Sequence, residues 1–160
     1  MPNQAWSQIG MDFIESLPIS EGSDTILVVV DRLTKFSHFI PLKHPFSAVE
    51  VAKLFLTHIF RLHGLPDVIV SDRDKLFTSL FWQELFRLVG TRLNLSSTYH
   101  PQSQSECVNQ RVETYLRCMT NDRSQKWKSW LSLAEWWYNT NYHTSLKMTP
   151  FEVLYGYQPN

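Results

Sequence analysis

The sequence predicts an α/β fold with a five-stranded mixed sheet, built from an antiparallel meander and parallel βαβ units, with helices on both faces. Two observations predict it. Three strand-like segments follow one another near the N-terminus with short turns between them, and the hydrophobic pattern then changes to the helical period. Strands joined by short turns pair as antiparallel neighbours, whereas strands separated by helices pair in parallel. The predicted element order is therefore β-β-β-α-β-α-β-α-α.

The strands are predicted from alternation and from short apolar runs. In the first strand, Ile9, Met11 and Phe13 share one face, so Asp12 lies on the other. The second strand is a continuous run rich in β-branched residues, which is typical of a strand buried on both faces. The five predicted strands are residues 8–17, 25–30, 36–42, 68–70 and 91–95.

The helices are predicted from their periodicity and from signals at their ends. Ser47 and Glu50 have the spacing of a capping box, and Gly64 followed by Pro66 ends the helix that they begin. Pro150 opens a last short helix. The remaining helices are predicted at about residues 79–89, 106–121 and 126–141.

Length and composition indicate one domain, residues 1–160, with 43% hydrophobic and 19% charged residues. The longest apolar run, Ile26 to Val30, is too short to cross a bilayer, and no signal peptide is visible, so we expect an intracellular protein without a membrane partner. Cys107 and Cys118 are too far apart on a helix for a disulfide bond and are interpreted as free thiols.

The formal net charge is zero, which is unusual for a dedicated nucleic-acid binder. The charges are nevertheless unevenly distributed: residues 1–31 are acidic without Lys or Arg, and residues 110–128 are mainly basic. An acidic pocket beside a basic rim suits a metal site next to a phosphate backbone. A solvated helix face is the alternative interpretation of the basic segment.

Three acids are candidates for a metal site. Asp12 lies inside a strand, Asp72 ends the fourth strand, and Glu106 opens a helix that we expect to pack beside both. Converging carboxylates are hard oxygen ligands suited to Mg²⁺ or Mn²⁺. Each acid also has a structural alternative: Asp12 in an ion pair, Asp72 in a turn, and Glu106 in a capping box with Ser103.

The sequence motifs around these acids resemble those of the integrase core of Gypsy-type LTR retrotransposons and, more distantly, those of retroviral integrases. It implies a ribonuclease H-like fold and covers nearly the whole chain. The matching motifs are WSQIGMDF, ILVVVDRLTKFSHFIPL, HGLPDVIVSDRDKLFTSLFW, TYHPQ, Glu106 with Val108-Asn109, and WYNTNYHTSLKMTPFEVLYG.

By position in these motifs, the resemblance implies a catalytic and metal-binding triad of Asp12, Asp72 and Glu106, with two Mg²⁺ or Mn²⁺ ions during catalysis. The implied reaction is DNA 3′-end processing followed by strand transfer into target DNA. It also implies a nuclear enzyme that works as a homo-oligomer on DNA, as a piece of a larger polyprotein. The predicted DNA-binding residues are Asn109, Gln110, Arg111, Lys126 and Lys128.

The chain departs from the family in the loop before Glu106, which reads TYHPQSQSE, lacks an Asp-Gly pair and is about two residues shorter than usual. We expect the loop to absorb the deletion. If it does not, Glu106 rotates out of the pocket, and the alternative is a decayed or domesticated core that acts as a nucleic-acid-binding or dimerisation module. A plain nuclease of the same fold is a further alternative.

Several histidines and tryptophans of the chain are interpreted as structural residues. His63, His100 and His143 are expected to be hydrogen-bonded structural residues rather than metal ligands. A cluster of tryptophans is expected to form core or interface rather than a base-stacking platform. Its members are Trp127, Trp130, Trp136 and Trp137.

Overall fold

The protein forms one five-stranded mixed sheet in a computed structural model that describes residues 3–89, 97–98, 109–114, 116 and 126–160. The strands are β1 (Gln8–Ile14), β2 (Thr25–Asp31), β3 (Ser37–Leu42), β4 (Val68–Ser71) and β5 (Ser97–Thr98). Their order is β3-β2-β1-β4-β5, with antiparallel pairs up to β1 and parallel pairs beyond it. The predicted mixed sheet is confirmed. The predicted strand at residues 91–95 lies outside the described residues.

The helices occupy the intervals between the strands and the C-terminal part of the chain. The first runs through three consecutive segments, an α-helix, a π-helical turn at Leu56–Phe60 and a short α-helix. Residue 116 is also helical, and the rest of the helix predicted at 106–121 lies outside the described residues. The helices are α1 (Ala48–Phe55), α2 (Arg61–His63), α3 (Lys75–Val89), α4 (residues 109–114), α5 (Trp127–Thr140) and α6 (Pro150–Tyr155).

Helix α3 begins at Lys75, four residues before the start that periodicity predicts, and the prediction of about Ser79 was wrong. Asp74 is the reason. Its carboxylate accepts a hydrogen bond from the Phe77 amide at 2.7 Å, which satisfies one of the free donors at the helix start. At α1, Ser47 caps as predicted by accepting from the Glu50 amide at 3.3 Å.

Both faces of the sheet are covered, as predicted. Ile9 and Met11 of β1 pack with α1 and α3 in one buried cluster, and Ile14 packs in a second cluster with α5 and with Val112 of α4. Every residue of β2 is buried. Because β1 alternates between the two clusters, Asp12 lies on the α4 and α5 side of the sheet, opposite to Ile9 and Met11.

The free edge of β3 is closed by side chains of α5. Asn139 accepts from the Ser37 amide and donates to the Ser37 carbonyl, both at 2.8 Å, and Glu135 accepts from the Phe39 amide at 2.7 Å. Pro41, next in this alternation, has no amide hydrogen. The edge therefore offers few free donors to another strand. Among the described residues, no helix combines the length and the apolarity that a membrane crossing requires.

Candidate active site at the carboxyl end of β4

The parallel pairing of β1 and β4 places Asp12 and Asp72 next to each other. Met11 is in register with Ser71, so Asp12 and Asp72 are the next residues on the two strands. Asp12 is half-buried and Asp72 is exposed. Burial raises the pKa of the Asp12 carboxyl, and the negative charge of the nearby Asp72 raises it further. Two of the three predicted acids therefore meet at one point on the sheet.

The environment of Asp12 disfavours its ionised form. Burial raises its pKa above the usual value of 3.8, and the nearby Asp72 adds to this effect. Hydrogen bonds from the Phe13 amide at 2.8 Å and from the Asn109 side-chain amide at 3.0 Å act in the opposite direction, as does the positive charge of Arg73. A cation bound between the two acids would remove most of the repulsion that remains.

Asn109 is the α4 residue that reaches the acid pair. Its Nδ2 donates to Asp12, and its Oδ1 is buried without a hydrogen-bond partner among the described residues. An unpaired amide oxygen on a residue that contacts Asp12 is a further hard oxygen donor, so the residues present fit Mg²⁺ or Mn²⁺. Glu106 lies outside the described residues. Within the part of the chain that the structure describes, no group of three or more His, Cys, Asp or Glu side chains is placed to hold a metal.

The other predicted DNA-binding residues lie in two places. Gln110 and Arg111 follow Asn109 on α4, exposed and half-buried respectively. Lys126 and Lys128 lie at the start of α5, where the Lys128 amine donates to the Glu21 carbonyl at 3.1 Å. The structure therefore brings α4 to the acids and gives Lys128 a partner in the β1–β2 loop. Their contact with DNA stays a prediction.

A cation beside the acid pair was missed by the sequence reasoning. The Arg73 guanidinium lies 4.4 Å from the centre of the Phe13 ring, and it also faces Phe46 at 5.1 Å and Phe77 at 5.7 Å. Its Nη2 donates to Glu15 at 2.7 Å. The position of Arg73 in the sequence, directly after Asp72 in the motif SDRD, was the signal that could have indicated it.

The histidines make the predicted hydrogen bonds where they are described. The His63 ring stacks on Trp6 with 3.8 Å between ring centres, and its Nε2 is 2.9 Å from Nε2 of His38. Nδ1 of His143 is 2.8 Å from the Ser145 hydroxyl. His100 lies outside the described residues, as do both cysteines.

Three of the four tryptophans are packed in the second cluster, as predicted. Trp127 is buried, and Trp130 and Trp137 are half-buried against the same cluster. Trp136 differs because 47% of it is exposed, and it contacts Phe151 of α6 edge-on. Trp136 therefore lies on the surface rather than in the core.

A cavity of about 430 Å³ lies away from the acid pair, between β3, the end of the first helix and α5. His38, Glu135, Arg61 and Lys128 are among its lining residues. Neither Asp12 nor Asp72 lines it, so this cavity and the two described acids are in different places.

Comparison with known proteins indicates the family of the chain. No family model matches the chain. The Tf2-3 and Tf2-4 transposon polyproteins of Schizosaccharomyces pombe are each 35% identical to it over 156 residues. The alignment covers 96% of this chain and 12% of each polyprotein, so the chain spans a small part of the relatives that it matches. The chain belongs to the retrotransposon integrase cores.

Solved structures give the same fold for this integrase core. The HTLV-2 integrase catalytic core domain in complex with magnesium, in its trimeric form, superposes with a TM-score of 0.71 at 16% identity, covering 97% of this chain and 100% of that one. A chain of the simian T-cell lymphotropic virus intasome in complex with PP2A regulatory subunit B56 gamma gives 0.73 at 19% identity, covering 94% and 54%. The predicted ribonuclease H-like fold is confirmed.

Proposed function

We propose that this integrase core trims and joins DNA with divalent metal held by Asp12, Asp72 and Glu106. The observation that carries the proposal is the register of β1 and β4. It places Asp12, inside β1, next to Asp72, which directly follows the last residue of β4. In α/β sheets, ligands bind where parallel strands reach their carboxyl ends, as β4 does here. The family to which the chain belongs is one of polynucleotidyl transferases, which agrees with chemistry at phosphorus.

The metal would be held by oxygen ligands from three elements of the fold. Asp12 of β1 and Asp72 after β4 supply carboxylates, Glu106 is proposed as the third, and Asn109, whose Oδ1 is unpaired among the described residues, contacts Asp12. When bound, Mg²⁺ or Mn²⁺ lowers the pKa of an attacking hydroxyl or water and stabilises charge on the phosphate. The HTLV-2 integrase core with the same fold is described in complex with magnesium.

The chain's own residues would orient this chemistry. Asn109 fixes one oxygen of Asp12 by donating to Oδ2, and the Phe13 amide holds the other by donating to Oδ1. Since both oxygens are positioned before substrate binds, little reorganisation is needed at the reaction. Water attacks a phosphodiester near the element end, and the freed 3′-hydroxyl then attacks one in target DNA. Both are in-line displacements at phosphorus.

The proposed partners are the DNA ends of the element, target DNA and further copies of the chain, and the proposed compartment is the nucleus. The related HTLV-2 cores are described in dimeric and trimeric forms. Residues 1–160 would act as the catalytic core of a longer protein, in agreement with the 12% of the Tf2 polyproteins that the alignment spans.

The test combines metal titration with an oligonucleotide joining assay. Mn²⁺ is titrated by calorimetry into the wild-type chain and into Asp12→Asn, Asp72→Asn and Glu106→Gln. Glu50→Gln serves as the control, because Glu50 is an exposed carboxylate on α1. We expect heat of binding in the wild type and the control, and its loss in all three site variants.

The outcomes separate the alternatives. Absence of Mn²⁺ binding in the wild type would favour a decayed or domesticated module without catalysis. Binding that survives Glu106→Gln would mean that the shortened loop has moved this acid out of the site. Cleavage of labelled duplexes without joined products would favour a plain nuclease of the same fold.

A further inference from the structure

We propose that Arg73 binds a phosphate of the DNA strand beside the acid pair, and that Glu15 occupies the same guanidinium edge when DNA is absent. The inference rests on the proposed function, because it takes DNA as the substrate. It adds to that function a residue outside the predicted DNA-binding set. It also adds an internal competitor for the phosphate.

The guanidinium is oriented by aromatic rings from three elements. Phe13 belongs to β1, Phe46 to the β3–α1 connection and Phe77 to α3, and each ring centre lies within 5.7 Å of the Arg73 guanidinium carbon. Phe13 and Phe46 stack at 4.8 Å, and Phe77 meets Phe13 edge-on at 5.9 Å. Rings that bind the flat face of a guanidinium leave its edge free for hydrogen bonds. The fold therefore presents a hydrogen-bonding edge in a fixed direction.

This edge lies near the acid pair, on the other side of β1. Arg73 follows Asp72 in the chain, but its guanidinium lies over Phe13 on the α1 and α3 side of the sheet, whereas Asp12 lies on the α4 and α5 side. The positive charge of Arg73 reaches Asp12, where it acts to lower the pKa of the carboxyl. A phosphate bound to Arg73 would thus lie at the border of the acid pair. Arg is suited to this because its planar fork matches phosphate oxygens.

Glu15 holds this position in the structure by a contact that another anion can replace. Its Oε1 accepts from Nη2 of Arg73 at 2.7 Å, and the two side chains remain 42% and 28% exposed. Partly exposed ion pairs contribute little to stability, so exchanging one anion for another is inexpensive. Among the described residues, Glu15 is the carboxylate in contact with Arg73. Its negative charge therefore mimics a phosphate and must leave before one binds.

A second Arg–Glu pair in the same chain provides the matched control. Arg87 and Glu84 pair on α3, where Nε of Arg87 donates to Oε2 of Glu84 at 3.0 Å. Arg87 is twelve residues beyond Lys75 on α3, which corresponds to roughly 18 Å along the helix axis. Glu84→Gln therefore removes the same charge from the same kind of pair, but away from the acid pair.

The experiment measures binding to a short fluorescent duplex by anisotropy in EDTA, so that no metal and no reaction are involved. Glu15→Gln is expected to tighten Kd about threefold because the competing anion is lost. Arg73→Gln is expected to weaken Kd and to reduce the salt slope by about one. In the double variant Arg73→Gln with Glu15→Gln, the gain should disappear. Glu84→Gln should change Kd by less than the Glu15 variant.

Three results would overturn the proposal. They are an equal gain in Glu84→Gln, a gain from Glu15→Gln that persists without Arg73, and no binding of the duplex by either the wild type or Glu15→Gln. Glu15→Gln leaves Arg73 in its aromatic surroundings, so the answer does not depend on how Arg73→Gln folds. Arg73→Lys, which keeps the charge without the planar fork, should recover part of the affinity. The Mn²⁺ titration tests the acids separately, so a failure of this proposal can be distinguished from a failure of the proposed function.

Discussion

Asp12 and Asp31 are both strand carboxylates in the centre of the sheet, but the structure treats them in opposite ways. Asp31 is completely buried and accepts from the Trp6, Leu33 and Thr34 amides, at 3.0, 3.4 and 3.2 Å, and from the Thr34 hydroxyl at 2.6 Å. Asp12 is half-buried, accepts two hydrogen bonds and lies beside another acid. One carboxylate is satisfied by its own chain, whereas the other is not.

This difference separates a structural acid from a candidate site acid. A buried carboxylate whose lone pairs are filled by backbone donors stabilises the turn that supplies those donors. A carboxylate whose pKa is raised by burial and by a second acid is at a cost to the fold, and outside cations reduce that cost. The number of donors around each acid therefore predicts how each will respond to the same substitution.

The largest expected effect is on stability, from Asp31→Asn. The amide keeps one acceptor but places its own donor against donors of the Thr34 turn, so we expect unfolding to become easier by about 3 kcal/mol. Asp12→Asn should change the free energy of unfolding by less than about 1 kcal/mol, since burial already disfavours its charge. Urea denaturation at pH 7 measures both.

The sign for Asp12 follows from the direction of its pKa shift. A carboxyl whose pKa is raised in the folded state lowers the free energy of unfolding at pH values above its usual pKa of 3.8. This destabilisation disappears as the pH falls towards 3.8. Asp12→Asn should therefore be no less stable than the wild type at pH 7. Equal losses for Asp12→Asn and Asp31→Asn would show that the comparison between the two acids is mistaken.

The next effect concerns Asn139, which, like Asp31, has its hydrogen bonds satisfied within the chain. Asn139 is buried and makes two hydrogen bonds to the Ser37 backbone, so Asn139→Ala leaves an edge amide and carbonyl unpaired. We expect a loss of about 2 kcal/mol and a greater tendency to aggregate through β3. Thermal unfolding and light scattering measure the two consequences. Asn141→Ala is the control, since Asn141 is exposed at the end of α5.

A third effect appears in the pH dependence of stability. Burial, followed by the charge on His38, lowers the pKa of His63 from 6.5 to about 4. The neutral form is thus favoured in the folded state, so its contribution is complete above pH 6.5 and is lost as the pH falls towards 4. His63→Gln should flatten the stability profile in this window. An unchanged profile, matching that of the exposed control His44→Gln, would contradict the assignment.

The order of elements and the first two acids were predictable because they depend on local patterns. Alternation placed Asp12 on the face opposite to Met11, and the short apolar run placed Asp72 at a strand end. The early start of α3 was missed because the helix was predicted from its periodicity alone, without the helix cap that Asp74 provides. Local patterns thus reach as far as contacts between neighbours in the chain.

Contacts between distant segments were not predictable from one sequence. Nothing in the spacing indicates that His38 meets His63, or that Phe46 and Phe77 converge on Arg73. Such contacts depend on how the connections between elements fold over the sheet. The hydrophobic periodicity of a helix or strand does not indicate the path of the connection that follows it. Glu106 lies outside the described residues, so its place in the triad stays a prediction.

The smallest expected effect on stability, Asn109→Ala, sharpens the comparison most. Asn109 is half-buried, donates once to Asp12 and leaves its Oδ1 unpaired among the described residues. Its loss should cost the fold less than about 1 kcal/mol, because one hydrogen bond is removed and one unsatisfied oxygen disappears. Calorimetry should nevertheless give Mn²⁺ affinity several-fold weaker than in the wild type, since Asp12 is no longer oriented. A large loss of stability with unchanged Mn²⁺ affinity would place Asn109 in the same structural class as Asn139.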